Sequence, residues 1–132
     1  MGRPMRALHW LALLLLCAAY LQGGLNKLLD FGSAVGEMQH FGLSPATPLA
    51  ALVIVGELGV AAMVLSGRLR WLGAAWLALF TVAASFIANR YWEMAGMERF
   101  MAANSFYEHL GLAGGFLLVA WHDLAHRRGK DD

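Results

Sequence analysis

Apolar residues along this chain fall into four runs, separated by short segments that hold most of the charge. The runs cover residues 7–26, 48–66, 71–89 and 101–122. Each approaches the roughly 20 residues that a helix rising 1.5 Å per residue needs to cross hydrocarbon. The stretch from Trp71 to Ala88 carries no charge, and the second run is interrupted by one ionisable group, Glu57. The purely apolar part of the last run, Leu110 to Trp121, is short for a span, so its helix must start near Phe100 and enclose Glu108 and His109. The pattern predicts an all-α integral membrane four-helix bundle forming a single membrane domain over residues 1–132.

Between the first two runs the periodicity changes. Phe31, Val35, Met38 and Phe41 recur at helical spacing, with Glu37, Gln39 and His40 off that stripe. This predicts a short interfacial helix between spans 1 and 2. Ser44-Pro45-Ala46-Thr47-Pro48 ends it and starts the next span, because proline disfavours helix before it and suits a first helical turn.

Composition agrees with that picture. Of 132 residues 59% are hydrophobic and 14% charged, whereas soluble domains carry about 25% Asp, Glu, Lys and Arg. A water-soluble globule is excluded. Ten basic against nine acidic residues leave no positive field for nucleic acid. The single Cys17 excludes an intrachain disulfide, a CxxC redox pair and a cysteine-ligated iron–sulfur cluster, so any cofactor must be borrowed. No group of residues has metal-ligand spacing, and His122 and His126, followed by Arg127 and Arg128, read as a solvated helix end.

Four spans put both termini on one side. Arg3, Arg6, Arg68, Arg70, Arg127, Arg128 and Lys130 then share a side, against Lys27, Arg90 and Arg99 on the other. The imbalance places both termini in the cytoplasm. The first run is longer than a secretory signal core and has Leu16 where a cleavage box before Cys17 needs a small residue, so it is expected to be retained.

Ionisable groups at membrane depth require a partner or a water-filled site. Glu57 lies about nine residues into the second run, roughly 13 Å from the interface. Lys27 is its first candidate partner, since Gly23, Gly24 and Lys27 share one helix face. Glu57 and His109 are the candidate catalytic groups, and Lys27, Asn89, Arg90 and Glu108 complete a polar cluster. For each a plain alternative stands beside the functional one: an ion pair for Glu57, snorkelling for Lys27, a satisfied hydrogen bond for His109, and an interfacial anchor for the Arg90-Tyr91-Trp92 segment.

The ordered set Gly23-Gly24-Leu25-Asn26-Lys27-Leu28, Gly42-Leu43-Ser44-Pro45, Gly56-Glu57-Leu58-Gly59, Gly67-Arg68, Tyr91-Trp92 and His109-Leu110-Gly111-Leu112-Ala113-Gly114-Gly115 resembles the DoxX family of small four-helix bacterial membrane proteins. The resemblance runs from about Ala7 to Trp121. Two departures stand out: Asn89 and Arg90 precede the aromatic pair where family members often have His, and Glu108 stands where Lys is common. The resemblance implies a bacterial inner-membrane protein associated with quinone-linked redox work, lacking a cofactor of its own beyond a membrane quinone and partnered by a redox subunit or by further copies of itself. Glu57 and His109 would then handle protons or hydrogen-bond the quinone, with Lys27 and Arg90 setting the field near the outer mouth. Two rival classes follow from the same polar groups: a proton-linked carrier, and a scaffold in which they only fix helix register.

Overall fold

The computed structural model describes residues 2–131 and, past Arg127, the backbone alone. Arg128 and Lys130, counted above for topology, have side chains outside that range. Six α-helices follow one another: α1 (Arg3–Leu29), α2 (Phe31–His40), α3 (Ala46–Val55), α4 (Ala61–Ser66), α5 (Arg70–Ala88) and α6 (Gly96–Asp131). A π-helical turn, Gly56–Val60, joins α3 to α4 in one continuous rod, and a 3-10 turn, Tyr91–Glu93, lies between α5 and α6. No strand occurs among the described residues.

Small residues set the packing. Leu13, Cys17, Tyr20 and Gly24 form the buried stripe of α1, at the spacing that keeps one helix face toward its neighbours. Cys17, Val64, Ala74, Leu77 and Phe116 are fully enclosed where α1, α4, α5 and α6 meet. The Tyr20 and Phe116 rings meet edge to face with centroids 5.4 Å apart. A second, smaller core of Ala34, Met38 and Ala50 folds α2 back onto α3. Asp30 starts α2, its carboxylate accepting the Ser33 N–H at 3.2 Å, and the expected interfacial helix is thus present.

Three of the rods, Arg3–Leu29, Ala46–Ser66 and Arg70–Glu93, are long and apolar enough to cross a membrane. The fourth expected span differs. The run 101–122 lies inside a helix of 36 residues that starts earlier and continues past Trp121. Gly96, at a φ of +64°, releases the chain into it. Its C-terminal extension is held because Asp123 and Arg127 dock on the turn between α4 and α5. That turn reverses at Gly67, with a φ of +84°, and is closed by Arg70 Nε donating to the Val64 carbonyl at 2.7 Å.

The bundle therefore has two polar ends. One gathers Trp10 Nε1–H on the Leu65 carbonyl, the 67–70 turn, Asp123 and Arg127. The other gathers Lys27, α2, the Tyr91–Glu93 turn and the first turns of α6.

Candidate functional site

Near the second end, inside the bundle, Lys27 Nζ donates to Glu57 Oε1 at 2.5 Å. The carboxylate is almost sealed, with 5% of its side chain exposed against 22% for Lys27. Local structure delivers this contact in two ways. Glu57 sits in the π-helical turn, a geometry that widens the helix and re-aims its side chains. Glycines then let the helices close: a Cβ on Gly23 would lie 2.9 Å from Glu57 Oε2, and one on Gly24 2.7 Å from Leu58 Cγ. On the far side of the rod, Gly56 lies under the indole of Trp76, where a Cβ would come within 2.2 Å of the ring.

The pair opens onto a cavity of about 450 Å³. Tyr20, Lys27, Glu57, Thr81, Asn89 and His109 give it polar groups, while residues such as Met38, Phe41, Phe80 and Leu112 make the rest of its wall apolar. Tyr20 and Thr81 hydrogen-bond each other through their hydroxyls. Asn89 Nδ2 donates to Ser85 Oγ at 3.4 Å. His109 Nδ1 lies 2.6 Å from the Ser105 carbonyl oxygen, which can only accept, so the neutral ring carries its proton on Nδ1 and keeps Nε2 as an acceptor. Beside this cavity, between the end of α1 and α2, lies an open vestibule of about 600 Å³ lined by Asn26, Asp30 and Ser33. Lys27 and Glu37 border both spaces.

Of the residues singled out in the sequence, Lys27, Glu57, Asn89 and His109 thus converge on one cavity. Arg90 and Glu108 stand apart from it. Arg90 is exposed, bonds Glu93 at 2.6 Å and lies 5.9 Å from the Trp92 ring centroid, as an interfacial anchor does. Glu108 is on the exposed side of α6. Its neighbour His109 faces inward because consecutive helical positions are about 100° apart. The sequence reading missed Tyr20, Thr81 and Glu37. Tyr20 had a signal, since a phenol within a membrane helix requires a hydrogen-bond partner. Thr81 and Glu37 had none.

At the opposite end His122 and His126 stack with ring centroids 6.4 Å apart, and His9 lies 5.7 Å from His122. No group of three or more His, Cys, Asp or Glu side chains among the described residues is arranged to hold a metal ion.

Comparison with known proteins places this architecture. The DoxX family model matches residues 10–90. The chain belongs to the DoxX family. The matched stretch of this DoxX chain includes Tyr20, Lys27, Glu57, Thr81 and Asn89 and stops before α6. The chain is also similar to the inner membrane protein YphA of Escherichia coli (strain K12), 29% identical over 98 residues that cover 74% of this chain and 69% of the relative. No solved structure matches it.

Proposed function

We propose that this DoxX protein is a four-span protein of a bacterial inner membrane, with both termini cytoplasmic, that serves as a redox-associated subunit and holds the head of a membrane quinone beside the Lys27–Glu57 pair. Inner-membrane residence is supported by the name of the Escherichia coli relative and by the three apolar rods. The fourth crossing is supported by packing. Phe106 of α6 meets Phe86 near the end of α5, and Asp123 bonds Trp71 at its start, so α6 runs antiparallel to α5 over the same depth. The cytoplasmic placement of the termini rests on the seven-to-three distribution of basic residues.

The cavity carries the quinone reading. Its volume lies in the range of small-molecule sites, and it combines apolar walls with a few convergent polar groups. Lys27 would offer N–H donors to a quinone oxygen, and His109 Nε2 and Glu57 would accept from the reduced form's hydroxyls. A bound quinone supplies the electron-carrying chemistry that the side chains lack.

The test is extraction of the protein, purified in a mild detergent, followed by identification of bound small molecules and copurifying polypeptides by mass spectrometry. The expected result is a quinone near one per chain, lost in an Ala84→Trp variant that fills the cavity. Absence of quinone from the native protein, or retention in the filled variant, overturns the reading. Proton-driven uptake of a solute into vesicles would instead establish the carrier reading, which the vestibule beside a buried carboxylate favours.

A further inference from the structure

The Lys27–Glu57 ion pair stands at the boundary between two spaces. On one side is the open vestibule, where Asp30 and Glu37 supply carboxylates; on the other is the half-apolar interior cavity. Lys27 and Glu37 border both. Lys27 is in the last turn of α1, on a flexible four-carbon stem with its side chain 22% exposed. Glu57 is sealed and held by backbone packing at Gly23, Gly24 and Gly56. One member of the pair can move and the other cannot.

We propose that Glu57 is a proton-binding site reached through the vestibule, and that Lys27 is its gate. In the closed state the Lys27 ammonium neutralises the Glu57 carboxylate and plugs the passage. When vestibule water delivers a proton, an O–H bond forms at Glu57, hydronium becomes water, and the pair loses its attraction. Lys27 keeps its own proton and turns to Glu37 or Asp30, whose carboxylates replace the partner it has left. The passage then joins the cavity to water. An unpaired ammonium in hydrocarbon would oppose this movement, and the two vestibule carboxylates remove that penalty. The polar and titratable groups that line the cavity together with Glu57 are Lys27 and Tyr20 from α1, Glu37 from α2, Thr81 and Asn89 from α5, and His109 from α6. Among them His109 has its Nδ1–H committed to the Ser105 carbonyl. The gate stands whether the interior occupant is a quinone or another molecule.

The test uses the full chain in sealed vesicles, in a Cys17→Ala background, with a permanently cationic, membrane-impermeant methanethiosulfonate applied on the α2 side. Ser33→Cys reports the vestibule and Ala84→Cys the interior. The interior rate, divided by the vestibule rate, is expected to rise on acidification. Glu57→Gln, which mimics the protonated state, should raise it about tenfold at neutral pH and abolish the response to acid. His109→Gln should leave that response in place. Glu37→Gln, a substitution at an exposed position that leaves the closed pair intact, should blunt it by removing the alternative partner. Equal interior and vestibule rates in the otherwise native protein would show that there is no gate. A response to acid that disappears with His109→Gln, or survives Glu57→Gln, would assign the switch elsewhere and overturn the proposal, as would an interior thiol unreactive in a folded Glu57→Gln variant or a full response in Glu37→Gln.

Discussion

Asp123 Oδ2 accepts the backbone N–H of Trp71 at 2.9 Å, so a carboxylate on α6 caps the N-terminus of α5. The first four N–H groups of a helix lack partners within it, and a negative charge there also meets the positive end of the helix dipole. The same oxygen accepts from Arg127 Nε at 3.0 Å, and Arg127 also reaches the Gly67 carbonyl at 3.3 Å. One acid thereby fixes the position of α6 along α5, and with it the depth at which His109 enters the cavity.

Asp123→Ala should accordingly destabilise the protein by about 1–2 kcal/mol, the usual cost of losing a side-chain cap. Asp123→Asn, which keeps an acceptor oxygen, should cost less. Thermal unfolding in detergent measures both, and Arg127→Ala should have a smaller effect because its side chain is 42% exposed.

For the buried pair the expected signature is non-additivity. Lys27→Met leaves the Glu57 carboxylate buried without its cation, and Glu57→Gln sends the ammonium to the more exposed carboxylates of the vestibule, whereas the double variant leaves neither charge without its partner. The two single substitutions should therefore sum to more destabilisation than the double one shows, with a coupling of about 1–3 kcal/mol. Unfolding of the two single variants and the double variant in one detergent supplies the cycle. Additive effects would mean that the contact contributes nothing to stability.

Glycine positions divide into those that permit helix contact and those that do not. A methyl group on Gly56 would meet the Trp76 ring at 2.2 Å, and none of the surrounding atoms of Gly111 lies within 4 Å of an added Cβ. Gly56→Ala should cost about 1–3 kcal/mol through overpacking. Gly111→Ala should be neutral or slightly stabilising, since alanine favours helix by up to about 1 kcal/mol. The comparison of melting temperatures checks both.

The spans and the interfacial helix were legible because the bilayer imposes a length and the helix a period, both written directly in residue spacing. The meeting of Lys27 and Glu57 was legible for a related reason: charge at membrane depth narrows the choice of partners, and glycine marks the approaching face. What stayed hidden depended on three-dimensional closure. Nothing in Gly56-Glu57-Leu58-Gly59-Val60 announces a π-helical turn, since its residues suit an ordinary helix equally well. The length of α6 was underestimated because the polarity after Trp121 reads as an ending, whereas Asp123 and Arg127 are the residues that anchor its continuation. Glu37, on the polar side of a surface helix, became part of the site only because α2 folds back over α1 and α3.

The hydroxyls of Tyr20 and Thr81 bond each other in the buried centre of the bundle, one from α1 and one from α5. Each satisfies the other at a buried position, so the cost of removing one depends on what the other is left with. Tyr20→Phe leaves the Thr81 hydroxyl free to turn toward a backbone carbonyl of its own helix, as threonine in membrane helices does, and should cost about 1 kcal/mol. Thr81→Val leaves the phenol with no such local recourse. It should cost more, up to about 3 kcal/mol. In the double variant no hydroxyl remains to satisfy and the volumes are nearly kept, so its stability should recover to at least that of Thr81→Val alone. Unfolding temperatures of the three variants measured together decide it. A double variant less stable than Thr81→Val would show that the phenol bonds a second group in the cavity, with the Lys27–Glu57 pair the nearest to examine.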